Sequence, residues 1–279
     1  MRRTFGTWMW LLAAPLGLFL LAFLAYPIAY AIKLALTDPL TQAFPSVSNV
    51  RLIVHDSLFW QALWGNIILP IASVALELAA GLGLAVVMAA RFPGRRLLRL
   101  VVIVPFALPE IVFLAIMRSV FAPRGYANAA LAAAGAPPVE WLLPGRALTF
   151  LTVVVVDAWH VTPVVFLMVL AALAALPNEI DEAAQLDGAG MLARFFCITL
   201  PLLRPALFAA VLLRGLDAMR MFATPLVLAG VEGAPVLSTY AYHQWSDYGN
   251  DGAAAAAASG LALLCTLVTL LLLRRRVLT

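Results

Sequence analysis

Residues 182–201 read EAAQLDGAGMLARFFCITLP, from Glu182 to Pro201. Two acids, a glutamine, an arginine and two glycines stand here between long apolar runs. Just upstream, Pro177-Asn178-Glu179-Ile180-Asp181 has the make-up of a helix start. Asn178 suits a capping position, and Asp181 falls near the positive end of the helix dipole. Asp187-Gly188 offers a turn, because glycine relaxes the backbone limits. Met191–Ile198 is expected to form a second short helix, with Leu192, Phe195, Phe196 and Thr199 at three- and four-residue spacing. Pro201 would then open the next apolar run, where its missing N–H costs little. The expected product over 178–201 is a helical hairpin with Ala183, Ala184 and Gly188 where another backbone can approach. A docking surface has this make-up, and so does an amphipathic loop lying at a membrane interface.

The surroundings decide that a membrane is involved. Of 279 residues, 64% are hydrophobic and only 11% charged, whereas charged residues make up about 25% of an ordinary soluble domain. Several apolar runs reach the ~20 residues that a helix needs to cross the hydrocarbon core. Six spans are expected, near 8–32, 64–90, 97–121, 148–173, 202–229 and 253–273. The first is longer than a signal-peptide core and reads as an uncleaved span. The connection over 33–63 reads as a loop with a short amphipathic piece near Leu58–Leu63.

The formal charge of +4 is not gathered into a nucleic-acid patch. Basic residues lie between the spans, where they set topology. With the N-terminus inside, the inner segments hold eleven: Arg2, Arg3, Arg91, Arg95, Arg96, Arg99, Arg194, Arg204, Arg274, Arg275 and Arg276. The outer segments hold five: Lys33, Arg51, Arg118, Arg124 and Arg146. The bias predicts both termini cytoplasmic and puts Glu182–Pro201 on the cytoplasmic face.

Within the apolar runs stand Glu77, Glu110, Asp157, Arg214, Asp217 and Arg220. Ionisable residues there face a partner or a wet cavity, since a charge at the bilayer centre costs ~2.5–3.5 kcal/mol on insertion scales. Arg214, Asp217 and Arg220 are spaced so that both arginines reach the aspartate. Two readings stay open. Asp157, Trp159, Asp217, Arg220 and, in the outer loop, Tyr240 can form a polar path with an aromatic platform for a hydroxyl-rich substrate. The same ions can instead pair between helices and hold them together or gate the path. The aromatic stretch around Tyr240 and Trp245 serves equally as an interfacial belt. Cys197 and Cys265 have neither disulfide nor zinc spacing. The one lysine, Lys33, cannot complete a phosphate-binding loop, so no ATP hydrolysis is expected in this chain. No catalytic constellation and no metal set stands out.

Glu182-Ala183-Ala184, Gly188, Ile198 and Leu200-Pro201 stand at the spacing of the EAA loop. On these residues the chain resembles binding-protein-dependent ABC importer permeases. "ITLPLLRPAL", "PGRRLLRLVVIVPFALPEIV" and the opening "APLGLFLLAFLAYPIAYAIKLALTD" resemble the carbohydrate branch, and the first of the two unlike permeases in maltose- and glycerol-3-phosphate-type systems. "MFATPLVLAG", with Ala223, and "GVEGAP" depart from the family pattern near the outer end of the fifth span.

The resemblance implies an all-α membrane protein with the type I ABC importer permease fold: six transmembrane helices and cytoplasmic coupling helices. Residues 1–63 would hold the first span and an external loop, and 64–279 a five-helix core with the coupling loop at 178–201. It implies that Glu182, Ala183, Ala184, Asp187, Gly188, Ile198, Leu200 and Pro201 meet a separate ATPase, which carries the ATP and Mg; no cofactor is expected here. The implied partners are a second, non-identical permease, two ATPase subunits, an extracytoplasmic substrate-binding protein and membrane lipid, in a bacterial inner membrane. Together they would import a sugar or sugar-like substrate. An ion- or proton-driven secondary carrier, using Glu77, Glu110 and Asp157, is the alternative.

Overall fold

A computed structural model describes residues 12–90 and 92–277. The start of the first expected span, with Arg2 and Arg3, and Arg91 lie outside the described residues, as do the side chains of Arg275 and Arg276. All regular structure among the described residues is helical. Helix α1 spans Leu12–Ala35, followed by α2 (Ser48–Val54) and α3 (Ser57–Ala89). Next come α4 (Arg95–Ala107), α5 (Glu110–Val120), α6 (Tyr126–Ala133) and α7 (Ala147–Ala174). Helix α8 (Asn178–Leu186) precedes α9 (Met191–Met219), α10 (Ala223–Gly233), α11 (Leu237–Ser246) and α12 (Asp251–Val277). Five of these helices are long and apolar enough to cross a membrane, and six spans result if α4 and α5 count as one.

Three differences from the expected spans have local causes. The third span is broken: α4 and α5 meet at 97°. Pro109 has no N–H, and it forces Leu108 into an extended conformation (φ −80°, ψ 141°). The second span begins at Ser57 rather than 64, because Asp56 Oδ1 accepts the Leu58 N–H at 2.9 Å and caps the helix. The fifth starts at Met191 and ends at Met219, so Met191–Ile198 is no separate short helix but the foot of a span. Pro201 does not open α9; it is absorbed within it. The turn Phe195–Thr199 widens to π geometry, which makes room for the proline ring and leaves its missing donor without consequence. At the far end Arg220 and Phe222 leave helical geometry (φ −103°, ψ 11°; φ −135°, ψ −54°) before α10.

The chain forms two compact units. One comprises the chain up to Trp60 together with Leu237–Thr266, the other Gln61–Val236 with the residues from Leu267. In the first, buried Asn49 donates from Nδ2 to the carbonyls of Leu34, Ala35 and Thr37, closing the end of α1. Tyr240, also buried, donates to Asp56 Oδ2 at 2.8 Å.

The second unit has two apolar cores. Leu69, Phe113, Leu114, Val153, Val156 and Leu228 form one, and Met88, Val165, Phe166, Val169 and Leu203 the other. Small residues bring backbones close. A Cβ on Gly65 would lie 2.0 Å from the Pro235 carbonyl oxygen, and one on Gly81 2.8 Å from Val165 Cγ1. Contacts of this kind drive helix association where lipid is as apolar as leucine.

Candidate functional site

The two helix breaks of the second unit open onto one cavity of about 490 Å³. The α4–α5 break presents Phe106 and Glu110, and the Arg220–Phe222 break presents its own residues with Ala223 and Thr224. Asp157, His160 and Val161 of α7 and Arg214, Asp217 and Ala218 of α9 complete the lining. Discontinuous helices converging on a polar cavity are a recurrent way to build a transport site, because irregular backbone is tolerated at membrane depth only against protein or water.

Behind the lining runs a buried polar network. Arg214 Nε and Nη2 donate to the two carboxylate oxygens of Glu77, at 2.8 and 3.1 Å. Its Nη1 donates to Asp217 Oδ2 at 2.5 Å. Ser73 Oγ lies within hydrogen-bond reach of Glu77 Oε1 (3.2 Å) and Asp157 Oδ2 (2.5 Å). Thr224 donates to Asp157 Oδ1 at 3.2 Å. The side chain of Glu77 is 0% exposed, so its charge is supportable only because the guanidinium meets it in bidentate geometry. Asn66, also buried, donates to the Met219 carbonyl at 3.0 Å, satisfying an acceptor that the break after α9 frees.

Asp217 is different. Its side chain is 62% exposed, with Arg214 on one side and Arg220 Nη2 at 3.6 Å on the other, as the three-residue spacing predicts. The lining carries three carboxylates (Glu110, Asp157, Asp217) against two guanidiniums (Arg214, Arg220). Acceptors therefore outnumber the paired cations on a surface that a hydroxyl-bearing molecule can donate to. His160 adds a buried Nε2 with no hydrogen-bond partner among the described residues, its ring stacked on Phe113 at 4.6 Å.

Of the residues expected on a substrate path, Asp157, Asp217 and Arg220 come together on this lining. Trp159 is exposed beside it in sequence and packs edge-on against Phe113 at 5.7 Å, outside the lining. Tyr240 belongs to the other unit, where its hydroxyl is engaged by Asp56 and Gln244. Glu77 is an interhelical ion-pair partner, and Glu110 faces the cavity. Ser73, Thr224 and Asn66 were not signalled by the sequence. Uncharged short polar residues are common in apolar runs, and Asp157, which Ser73 and Thr224 meet, and the Met219 carbonyl, which Asn66 meets, are remote from them in sequence.

The second candidate site is the segment Asn178–Pro201. Helix α8 ends in a Schellman turn. The Gly188 N–H donates to the Gln185 carbonyl and the Ala189 N–H to the Ala184 carbonyl, both at 3.0 Å. Gly188 sits at φ +74°, the left-handed conformation that this turn needs and that glycine adopts without strain. Ala184 is buried, while Glu182, Ala183, Asp187 and Gly188 are exposed. Leu186 and Met191, on either side of the turn, are 90% and 75% exposed. Ile198, Leu200 and Pro201 lie half-buried at the foot of α9. A short helix and an apolar knob thus project from the foot of a membrane span.

A polytopic helical chain with a polar cavity between broken helices and a projecting short helix is the transmembrane subunit of a transporter. The chain belongs to the family described as "Binding-protein-dependent transport system inner membrane component", whose sequence model matches residues 77–276. It is 33% identical, over 86% of its length and 84% of the relative's, to the trehalose/maltose transport system permease protein MalF of Thermococcus litoralis. In structure it resembles a chain of a bacterial ABC transporter involved in the import of the acidic polysaccharide alginate. The TM-score is 0.85 at 21% identity, covering 97% of this chain and 96% of that one. It likewise resembles a chain of the bacterial alginate ABC transporter in complex with alginate pentasaccharide-bound periplasmic protein. There the TM-score is 0.82 at 20% identity, covering 97% and 93%. The fold is that of an ABC importer permease.

Proposed function

We propose that this chain forms half of the translocation path of an ATP-driven importer for a sugar or sugar-like substrate. The substrates of the Thermococcus litoralis relative, trehalose/maltose, and of the structurally similar transporter, alginate, support the class. The excess of acceptors on the cavity lining supports a polyhydroxylated substrate that donates to Asp157, Asp217 and Glu110. The other half is a second, non-identical permease. Two separate ATPase subunits hold the ATP and Mg, and a substrate-binding protein delivers the cargo from outside. The excess of arginines at one set of span ends supports both termini on the cytoplasmic side. Residues 64–279 act as the transport core, preceded by the first span and external loop of 1–63.

Coupling runs through Glu182, Ala183, Ala184, Asp187, Gly188, Ile198, Leu200 and Pro201. Nucleotide binding closes the ATPases, α8 moves with them, and α9 carries that motion to the cavity between its own upper end and the α4–α5 break. The observation that supports this reading most is the segment Glu182–Pro201: fixed residue spacing, an exposed short helix and a tight turn, joined without interruption to a span that lines the cavity.

Native mass spectrometry of the gently solubilised, tagged chain tests it. The expected result is a complex with one different permease and two copies of a soluble ATPase. A chain found alone or as a homodimer overturns it, and turns attention to an ion- or proton-driven carrier built on Glu77, Glu110 and Asp157.

A further inference from the structure

Asp181, in the first turn of α8, meets Arg194, in the first turn of α9, across the turn that joins the two helices. Arg194 Nη1 donates to both carboxylate oxygens at 2.9 Å, and Gln185 Nε2 donates to Oδ2 at 2.8 Å. Only 21% of the Arg194 side chain is exposed, and its Nε is buried with no hydrogen-bond partner among the described residues. It borders a recess of about 150 Å³ with Val86, Leu173 and Phe195, at the ends of α3, α7 and α9. Among the described residues, no other side-chain hydrogen bond or ion pair joins α8 to α9. At the turn between them, a Cβ on Gly188 or Gly190 would meet nothing within 4 Å among the described residues. Exposed ion pairs contribute little to stability, so the value of this one lies in the angle it fixes.

We infer that Asp181 and Arg194 are positioning residues, a clasp that holds α8 rigidly against the foot of α9 so that force applied to the short helix moves the span as one body. Neither is one of the eight positions assigned above to ATPase coupling: Asp181 precedes Glu182, and Arg194 lies between Gly188 and Ile198. The inference rests on the reading of that motif as the ATPase-coupling segment. Without the clasp, α8 pivots about the glycine turn, and closure of the ATPases is spent on bending the hinge.

The test uses the whole complex in vesicles and needs no transported substrate. In a background with Cys197→Ser and Cys265→Ser, Ala223→Cys places a thiol on the cavity lining, and its labelling by a membrane-impermeant maleimide is followed with and without ATP plus vanadate. In the complex with the clasp intact, nucleotide should change the labelling rate about fivefold or more. Asp181→Ala or Arg194→Gln should each reduce that change to less than about twofold while the ATPase subunits still co-purify. The exchanged pair, Asp181→Arg with Arg194→Asp, should restore it, which a merely local packing role would not. Single variants that keep the full nucleotide response overturn the clasp and leave the coupling reading intact. Single variants that lose the ATPase subunits, with no rescue by the exchange, assign the pair to docking or folding and overturn it too. If nucleotide does not alter labelling with the clasp intact although the ATPase is bound, the coupling reading falls and the clasp falls with it.

Discussion

Arg214 and Glu77 stand 137 residues apart in sequence, yet their side chains, 5% and 0% exposed, share two hydrogen bonds of 2.8 and 3.1 Å. The pair ties α9 to α3 directly behind the cavity. It also orients the guanidinium so that its remaining nitrogen reaches Asp217 on the cavity surface.

Removing one member should be far worse than removing both. Arg214→Met leaves Glu77 buried without its cation, and breaking a buried pair in this way costs about 3–5 kcal/mol. Glu77→Leu combined with Arg214→Met leaves no buried charge at that contact and should recover most of the loss, because apolar replacement of a whole buried pair is often neutral. Thermal unfolding of the two purified variants beside the parent protein in detergent measures the difference. Equal destabilisation by the single and the double variant would contradict the pairing.

The close approaches at Gly65 and Gly81 yield a second ordering. Gly65→Ala drives a Cβ to 2.0 Å from the Pro235 carbonyl oxygen, and Gly81→Ala to within 2.8 Å of Val165. Gly83, two residues further along the same helix, has nothing among the described residues within 4 Å of the corresponding position. Overpacking costs about 1–3 kcal/mol and sometimes more, so Gly65→Ala and Gly81→Ala should lower yield and melting temperature. Gly83→Ala should be neutral or slightly stabilising, since alanine is the better helix former. Size-exclusion profiles and thermal melts of the three variants decide it.

Tyr240 makes a pH prediction outside the membrane spans. Burial, followed by the hydrogen bond to the Asp56 carboxylate, pushes its phenol above the ordinary range. The folded state therefore holds this proton more tightly than the unfolded chain does. The stability it contributes is fully present below the ordinary tyrosine value of ~10 and is lost only as pH rises through the higher folded value. Ultraviolet titration of the native protein and of Tyr240→Phe should overlay up to about pH 11. A difference below that pH would mean that the hydroxyl is open to solvent.

What was legible in the sequence follows from the range of the interactions. The pairing of Asp217 with Arg214 and Arg220 could be read because neighbours three apart on a helix touch. The Asp187-Gly188 turn could be read because left-handed backbone needs glycine. Glu77 as the partner of Arg214 could not, since nothing local links residues on different spans. The break at Pro109 was written in the Leu108-Pro109 pair, but hydropathy runs smoothly across it and merges α4 and α5 into one apparent span. The break at Arg220–Phe222 contains neither proline nor glycine and leaves no local mark. Met191–Ile198 carries the spacing of an amphipathic helix whether it stands alone or begins a longer one. Pro201 suggested a start, and only the widened turn at Phe195–Thr199 shows how one helix runs through it.

The same turn logic gives a graded test of the proposed coupling segment at Gly188. With φ at +74°, any side chain there meets backbone strain rather than a neighbour, because a Cβ would meet nothing within 4 Å. Left-handed backbone costs most residues about 1–2 kcal/mol, asparagine less and β-branched residues more. Gly188→Asn should therefore keep the Schellman turn and most nucleotide-driven opening of the cavity. Gly188→Val should unwind the end of α8, expose Ala184 and uncouple ATP hydrolysis from movement of α9. The complex should still assemble in both, since Glu182 and Ala183 lie a full turn upstream. ATP hydrolysis and nucleotide-dependent thiol labelling at Ala223→Cys, measured on the same preparations, separate the two effects. A valine variant that remains fully coupled would remove Gly188 from the coupling segment, and the Schellman turn would be left with a role in folding alone.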